Sequence, residues 1–235
     1  MRPILCRPGG KKLLAKTILK EIPKHDVYVE PFMGSGTIFF GKDLAKKSVL
    51  GDNDKRLMDF YRDVKKMDGL TCDLRRDKNK FDRLKNKKDK SPCDYAYVTK
   101  MSFGGTGKSY NTAHSPNSFQ KYDEQIAKLK KAQLVSSDFK KTIKETDSKD
   151  TFFYLDPPYY EKSCSYPKGS CDVTPKDVAD TVKGIKGKFI LSYNDHPEVK
   201  KEFCQKYHCK RVDTKYTANK LNNTLRTKEV IIKNF

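Results

Sequence analysis

The sequence predicts an α/β fold: a mostly parallel sheet of about seven strands, antiparallel at its end, with a basic segment inserted part-way along. Three observations predict it. Short apolar, strand-like runs recur along the 235 residues. Helical patterns fill many of the gaps between them, and strand alternating with helix implies a parallel sheet covered on both faces. Between residues 65 and 117 that rhythm breaks.

Taken in order, "KKLLAKTILKEI" (11–22) sets Leu14, Ile18 and Ile22 on one helical face. "VYVEPF" (27–32) and "SVLGD" (48–52) read as the first two strands. From Lys65 to Lys100 there are 12 Lys and Arg against 6 acids, followed by the glycine-rich "SFGGTGKSYNTAHSPNS". This stretch reads as a loop-rich insertion, dividing the chain into a core of residues 1–64 and 118–235 and an insert of 65–117. The core resumes with "QLVSSD" (133–138), "TFFYLD" (151–156) and "KFILSY" (188–193), and "PEVKKEFCQKY" (197–207) aligns Val199 with Phe203 on a helix. "KRVDTKYTA" (210–218) and "EVIIKNF" (229–235) have only "NKLNNTLRTK" between them and read as an antiparallel hairpin. No internal repeat is present.

Composition narrows the function. Lys and Arg total 50 against 30 Asp and Glu, a formal charge of +20. That excess favours a polyanionic partner through long-range attraction and counterion release. Seven cysteines with no CxxC spacing predict reduced, structural thiols. His208 beside Cys204 and Cys209 lacks a fourth ligand, so no metal is expected. The start "MRPILCRPGGKK" is no signal peptide, and nothing approaches the roughly 18 apolar residues of a membrane span. The expectation is a soluble, cytoplasmic protein, bacterial or viral, acting as a monomer or weak dimer.

The chemistry is concentrated in "TFFYLDPPYY" (151–160), where an apolar strand stops on Asp156 and two prolines stiffen the turn beyond it. Proline fixes φ and supplies no N–H, so it ends a strand and holds the next loop in one shape. A phosphate-binding reading of "YVTKMSFGGTGKS" fails: the first glycine of GxxxxGK[ST] falls on Ser102, and "YNTAHSPNSF" opens no helix. "VEPFMGSGTIFF" is the better glycine turn, with Gly34 and Gly36 leading into a helix. Asp52 ends the next strand, close to where an acid binds ribose hydroxyls in nucleotide folds. Asp138 and Asp156 close two further strands, so one acidic crevice lies beyond the strand ends. Acids disfavour a pyrophosphate and suit a positively charged nucleoside, of which S-adenosylmethionine is one.

In their order "RPGGKKLL" (7–14), "EPFMGSG" (30–36), "GDNDKRLMDFY" (51–61), "SSDF" (136–139) and "YLDPPYY" (154–160), these motifs resemble the Dam-like, D12-type N6-adenine DNA methyltransferases. The likeness runs from Arg7 to the final strand. It implies a Rossmann-like class I methyltransferase sheet carrying an inserted target-recognition subdomain, with S-adenosylmethionine as cofactor and double-stranded DNA as partner. By the same resemblance Arg7, Lys11, Phe32, Gly34, Ser35, Gly36 and Asp52 meet the cofactor, as do Asp138, Phe139 and Asp156, with Asp52 at the ribose and Asp138–Phe139 at the adenine. The family often has an aromatic where this chain has Arg7. Asp156, Pro157, Pro158 and Tyr159 form the implied catalytic loop, and Lys100, Phe103, Lys108 and Tyr110 the implied DNA contacts. The same resemblance implies a target within a short palindrome such as GATC.

Adenine N6 is a poor nucleophile, its lone pair delocalised into a ring stacked inside the duplex, so the nucleotide must be turned out. Asp156 and the Pro157 carbonyl can each accept one N6–H, directing the lone pair at a methyl sulfonium, while Tyr159 stacks on the base for about 1–3 kcal/mol. With the ordinary acidity of an aspartate, Asp156 contributes position and charge rather than base strength. Two other readings compete: methylation of RNA or of a protein amide nitrogen, and an inactive DNA-binding module. The basic insert and Asp rather than Asn at 156 argue against the former, and intact Asp52 and Asp156 against the latter. No "PC" sequence closes a strand, which disfavours cytosine C5 chemistry.

Overall fold

The computed structural model describes residues 2–112, 118–161, 172–216 and 225–235. The chain runs α1 (Ala15–Glu21), β1 (Val27–Glu30), α2 (Thr37–Gly41), β2 (Lys47–Asp52) and α3 (Lys55–Lys65). The insert comes next, with β3 (Thr71–Asp73), α4 (Lys78–Asn86), α5 (Pro92–Met101), a 3₁₀ turn (Phe103–Gly105) and β4 (Phe119–Lys121). Then come α6 (Asp123–Lys130), β5 (Ala132–Ser136), α7 (Phe139–Thr146), β6 (Thr151–Leu155) and α8 (Pro175–Val182). The chain closes with β7 (Lys188–Asn194), α9 (Pro197–Phe203), β8 (His208–Tyr216) and β9 (Leu225–Lys233).

Seven strands form one sheet in the order β5-β2-β1-β6-β7-β9-β8. The pairings from β5 across to β7 are parallel, whereas β9 runs antiparallel to both β7 and β8. This is the mostly parallel, Rossmann-like sheet with an antiparallel end expected from the sequence. The chain builds outward from β1 through β2 to β5, then returns to place β6 on the other side of β1. A crevice opens at such a reversal, outside the carboxyl ends of the strands.

Why these runs form strands is visible on β6. Alternate side chains of a strand face opposite sides. Phe152 and Tyr154 enter the core beneath α1, α2 and α3, while Phe153 and Leu155 enter the core beneath α7, α8 and α9. All four are buried, so the strand is apolar throughout rather than alternating. Truncating Phe153, with its ring fully enclosed, costs about 3–5 kcal/mol. The helices obey the same logic: Ile18 of α1 and Val199 and Phe203 of α9 are buried, as their spacing requires.

Two sequence expectations change. The insert is not loop-rich. Asp77 caps α4 through the Lys80 N–H, and α5 opens with a capping box between Ser91 and Asp94 and proline at its first turn. Its two strands pair antiparallel, with Asp73 opposite Phe119, so the small sheet closes beyond residue 117. The cysteines are not all free thiols either. Cys72 is bonded to Cys93, tying β3 to the start of α5, and Cys204 to Cys209, while Cys6 is free. Cys164 and Cys171 lie outside the described residues. Among the described residues no helix is long and apolar enough to cross a membrane, and no group of three metal-ligating side chains gathers.

Candidate active site

The strand ends converge as the alternation predicts. Glu30 ends β1, Asp52 ends β2, Asp156 comes directly after β6, and Asp138 lies just past β5 to cap α7 through the Lys140 N–H. They surround one cleft, about 900 Å³ of empty space with the open solvent at its mouth included. Nine of the ten cofactor residues expected from the sequence line it: Arg7, Lys11, Phe32, Gly34, Ser35, Asp52, Asp138, Phe139 and Asp156. Gly36 does not. It sits at φ 66° as the N-cap of α2, and a Cβ there would press on Phe40 and Met33 at 3.0–3.2 Å.

The glycine turn and β2 are joined by Asp52. One of its carboxylate oxygens accepts the Gly34 N–H and the other the Asp54 N–H, both at 2.9 Å. Burial pushes its pKa up, against those hydrogen bonds and the nearby Arg7 charge. Each oxygen keeps a second lone pair for a ligand hydroxyl. The Tyr61 hydroxyl, from α3, donates to the Gly34 carbonyl at 3.1 Å and steadies the turn from below. On the opposite wall the Phe32 and Phe139 rings meet with centroids 4.9 Å apart.

Arg7 has polar partners at the rim of the cleft. Its guanidinium is ion-paired with Asp54 at 2.8 Å and reaches the Tyr95 hydroxyl of α5 at 3.5 Å, linking the cleft rim to the insert. The 3₁₀ turn is seated on the same segment: a Cβ on Gly105, at φ 74°, would meet the Cys6 carbonyl at 2.7 Å and the Arg7 nitrogen at 2.9 Å. Phe103 stands on that turn, 47% exposed, and Lys108 is exposed close by. Lys100 and Tyr110 point elsewhere. The Lys100 ammonium donates to the Pro3 carbonyl at 3.4 Å, and the Tyr110 ring packs 5.4 Å from Phe81 inside the insert.

At the loop after β6, Asp156 meets Lys11, which precedes α1 and is buried, its ammonium 2.6 Å from Asp156 Oδ1 and 2.9 Å from the Gly9 carbonyl. Ser192 of β7 donates to the same Oδ1 at 3.0 Å, and its hydroxyl is 2.9 Å from that of Tyr154. Burial raises the Asp156 pKa, opposed mainly by Lys11, so the ordinary acidity expected from the sequence does not hold. Pro157 is buried and Pro158 lines the cleft. The Tyr159 ring stacks on Tyr193 at 6.2 Å, lies 4.6 Å from the Lys11 ammonium, and donates its hydroxyl proton to Glu229 of β9.

Several of these residues were missed by sequence reasoning. Ser192 and Glu229 carry no motif, nor does Asn194, which bonds the Tyr160 backbone. Glu30 did carry a signal, an acid closing a buried strand inside "VEPF", and it lines the cleft only 2% exposed. Burial pushes its carboxyl up to about 8 despite the Tyr28 hydroxyl, which donates to it at 2.7 Å.

Comparison with known proteins decides the family. The model of the D12 class N6 adenine-specific DNA methyltransferases matches residues 8–100 and 93–218, most of the chain. This protein belongs to that family. Its cofactor is therefore S-adenosylmethionine, and its activity class is adenine methylation of DNA. The Type II methyltransferase M1.LlaDCHI of Lactococcus lactis subsp. cremoris is 24% identical, the alignment spanning 100% of this chain and 96% of that protein. The DNA adenine methylase of Haemophilus influenzae is 27% identical over 67% of this chain and 64% of its own length. Among solved structures, an rRNA methylase from Streptococcus thermophilus overlaps at a TM-score of 0.42 with 8% identity, covering 95% of each chain. An overlap that loose adds nothing to the sheet order itself.

The cleft fits that cofactor. Its lining holds five acids (Glu30, Asp52, Asp54, Asp138, Asp156) against two bases, and both bases are ion-paired within it. Glu30 keeps its proton near neutral pH, and the excess of acids over bases that remains suits a cationic ligand bearing hydroxyls. Asp52 keeps lone pairs that ligand hydroxyls could meet, and the Phe32 and Phe139 rings give the lining an apolar part.

Proposed function

We propose that this D12-family enzyme methylates N6 of an adenine turned out of duplex DNA, within a short specific site such as GATC. One observation carries the reading. The described contacts of the Asp156 carboxylate, from Lys11 and Ser192, both fall on Oδ1, which leaves Oδ2 to an incoming amino group.

When bound, S-adenosylmethionine supplies an electrophilic sulfonium methyl. The rest is positioning by this chain. Oδ2 of Asp156 accepts one N6–H and the Pro157 carbonyl the other, which draws the nitrogen lone pair out of conjugation and aims it. The Lys11 ammonium favours the ionised form of Asp156 and opposes the burial that raises its pKa. In the structure Lys11 lies over the Tyr159 ring, so an adenine stacking on Tyr159 takes the place of that cation–π contact. The N6 proton becomes acidic once the nitrogen carries its methyl group, and leaves through Asp156 to solvent.

Phe103 is placed to fill the space that the displaced base vacates, and the 3₁₀ turn beneath it rests on Cys6 and Arg7 at the rim of the cleft. Lys108 is exposed, open to a phosphate or base edge. Residues 65–117, or the slightly longer unit that β4 closes, serve as the target-recognition subdomain, and the net charge of +20 provides the long-range attraction to DNA. Such a reaction places the protein with DNA in the cytoplasm.

The test is direct. Unmethylated duplex DNA is incubated with S-adenosylmethionine and enzyme, digested to nucleosides and weighed by mass spectrometry, with Asp156→Ala alongside. N6-methyldeoxyadenosine should appear with the wild type and not with the variant. Cofactor binding without any methylated deoxyadenosine would overturn the proposal and turn attention to RNA or protein nitrogen.

A further inference from the structure

We propose that Glu229 and Asn194 are positioning residues for methyl transfer, holding the two tyrosines after Pro158 in the attitude the acceptor base meets. This rests on the proposed function of the site and deepens it.

The sheet places them together. β9 runs antiparallel to β7, with Asn194 opposite Glu229 and Ser192 opposite Ile231. Residues opposite each other in an antiparallel pair share a face, and so do residues two apart on one strand. Ser192, Asn194 and Glu229 therefore make a polar cluster on one face, at the end of β7 nearest Asp156. They are 0%, 6% and 1% exposed. Burying an amide and a carboxylate is costly unless they are hydrogen-bonded, and valine or isoleucine would fill such strand positions without that cost.

Each of the three holds a different residue of the loop. Ser192 holds Asp156. Glu229 accepts the Tyr159 hydroxyl proton. Asn194 clips Tyr160 at two points, its Oδ1 accepting the Tyr160 N–H at 3.0 Å and its Nδ2 donating to the Tyr160 carbonyl at 3.1 Å. The prolines stiffen the loop at one end and the Asn194 clip closes it at the other. Between them Tyr159 is steered by its hydroxyl, and Tyr193 supports the ring's flank. Displacements of about 1 Å in such a constellation lower rates on the order of 100-fold.

The experiment is a double-mutant cycle on the full chain with duplex DNA, reading kcat, the KM for S-adenosylmethionine and thermal stability. Glu229→Leu should lower kcat by about 10- to 100-fold, the loss expected for a charge-assisted hydrogen bond, with the cofactor KM within about twofold. Glu229→Gln keeps an acceptor oxygen and should recover most of the rate. In a Tyr159→Phe background, which has no hydroxyl to hold, Glu229→Leu should add little to the loss. Asn194→Leu should likewise lower kcat more than it raises KM. Should the leucine variant not fold, the cycle with Glu229→Gln and Tyr159→Phe carries the test: two independent, multiplicative losses would overturn the proposal. So would an unchanged kcat in folded Glu229→Leu, or a loss confined to KM. A wild type that makes no N6-methyldeoxyadenosine overturns both readings, whereas an active wild type with multiplicative losses overturns only this one.

Discussion

Replacing Glu30 by glutamine removes an ionisable group from the floor of the cleft while leaving an acceptor for the Tyr28 hydroxyl, 2.7 Å away. Burial, reinforced by the Asp156 charge and opposed by the Tyr28 hydrogen bond, moves the Glu30 carboxyl from its ordinary 4.5 up to about 8. The folded protein therefore keeps the proton across a range in which the unfolded chain has released it. Stability falls wherever the unfolded state binds fewer protons, so wild-type stability declines as pH rises from near 4.5 to near 8. Each pH unit in that window costs about 1.4 kcal/mol, or about 3 kcal/mol by pH 7 relative to acid. Glutamine has no proton to lose and escapes the decline. Melting of the cofactor-free wild type and Glu30→Gln, monitored by circular dichroism between pH 4.5 and 8, should show equal stabilities at the acid end. The variant should then lead by roughly 5–10 °C near pH 7. A difference that stays flat across pH, or a variant less stable at pH 7, would refute the reasoning.

Particular contacts set three further outcomes. Asp156 must be ionised to accept an N6–H, and its pKa is raised by burial against the pull of Lys11, so activity should fall on acidification through a value above the ordinary 3.8. Lys11→Met removes that pull and should shift the acid limb of the kcat profile to higher pH; coincident limbs in the two proteins would count against the Lys11–Asp156 pair. Gly105→Ala forces a Cβ to 2.7 Å from the Cys6 carbonyl, and should cost about 1–3 kcal/mol in stability and weaken DNA binding in fluorescence anisotropy. Gly184→Ala, which meets nothing within 4 Å, serves as the neutral control. Reduction of the Cys72–Cys93 bond, whose partners are 21 residues apart, should lower stability by about 3 kcal/mol, read as a lower melting temperature in dithiothreitol.

The gathering of Asp52, Asp138 and Asp156 around one crevice was legible in the sequence because these acids lie at the ends of parallel strands. In a parallel sheet the carboxyl ends of all strands lie on one edge, and the order β5-β2-β1-β6 sets the ends that carry Asp138, Asp52, Glu30 and Asp156 side by side. The insert was read less well. Its excess of lysine and arginine resembled solvated loop, yet Ser91-Pro92-Cys93-Asp94 carries a helix start in plain view, and Asp77 carries another. Charge on a helix surface masks the apolar face that Phe81, Leu84 and Tyr97 bury.

Composition and local order by themselves determined the α/β class, the acidic crevice and the proline-stiffened acceptor loop, because strand ends, glycine turns and prolines act within a few residues of themselves. Which partners hold that loop was decided only by the tertiary structure. β9 enters the sheet antiparallel, so Glu229, lying some seventy residues beyond Tyr159 (|i−j| = 70), arrives beside the end of β7 rather than at the far edge. Arg7 is likewise drawn to Asp54 and Tyr95, an ion pair and a hydrogen bond that join the cleft to the insert. Strand direction and register are properties of the assembled sheet, settled by which apolar faces bury together, and no local pattern encodes which distant side chain a given register will bring within hydrogen-bonding reach.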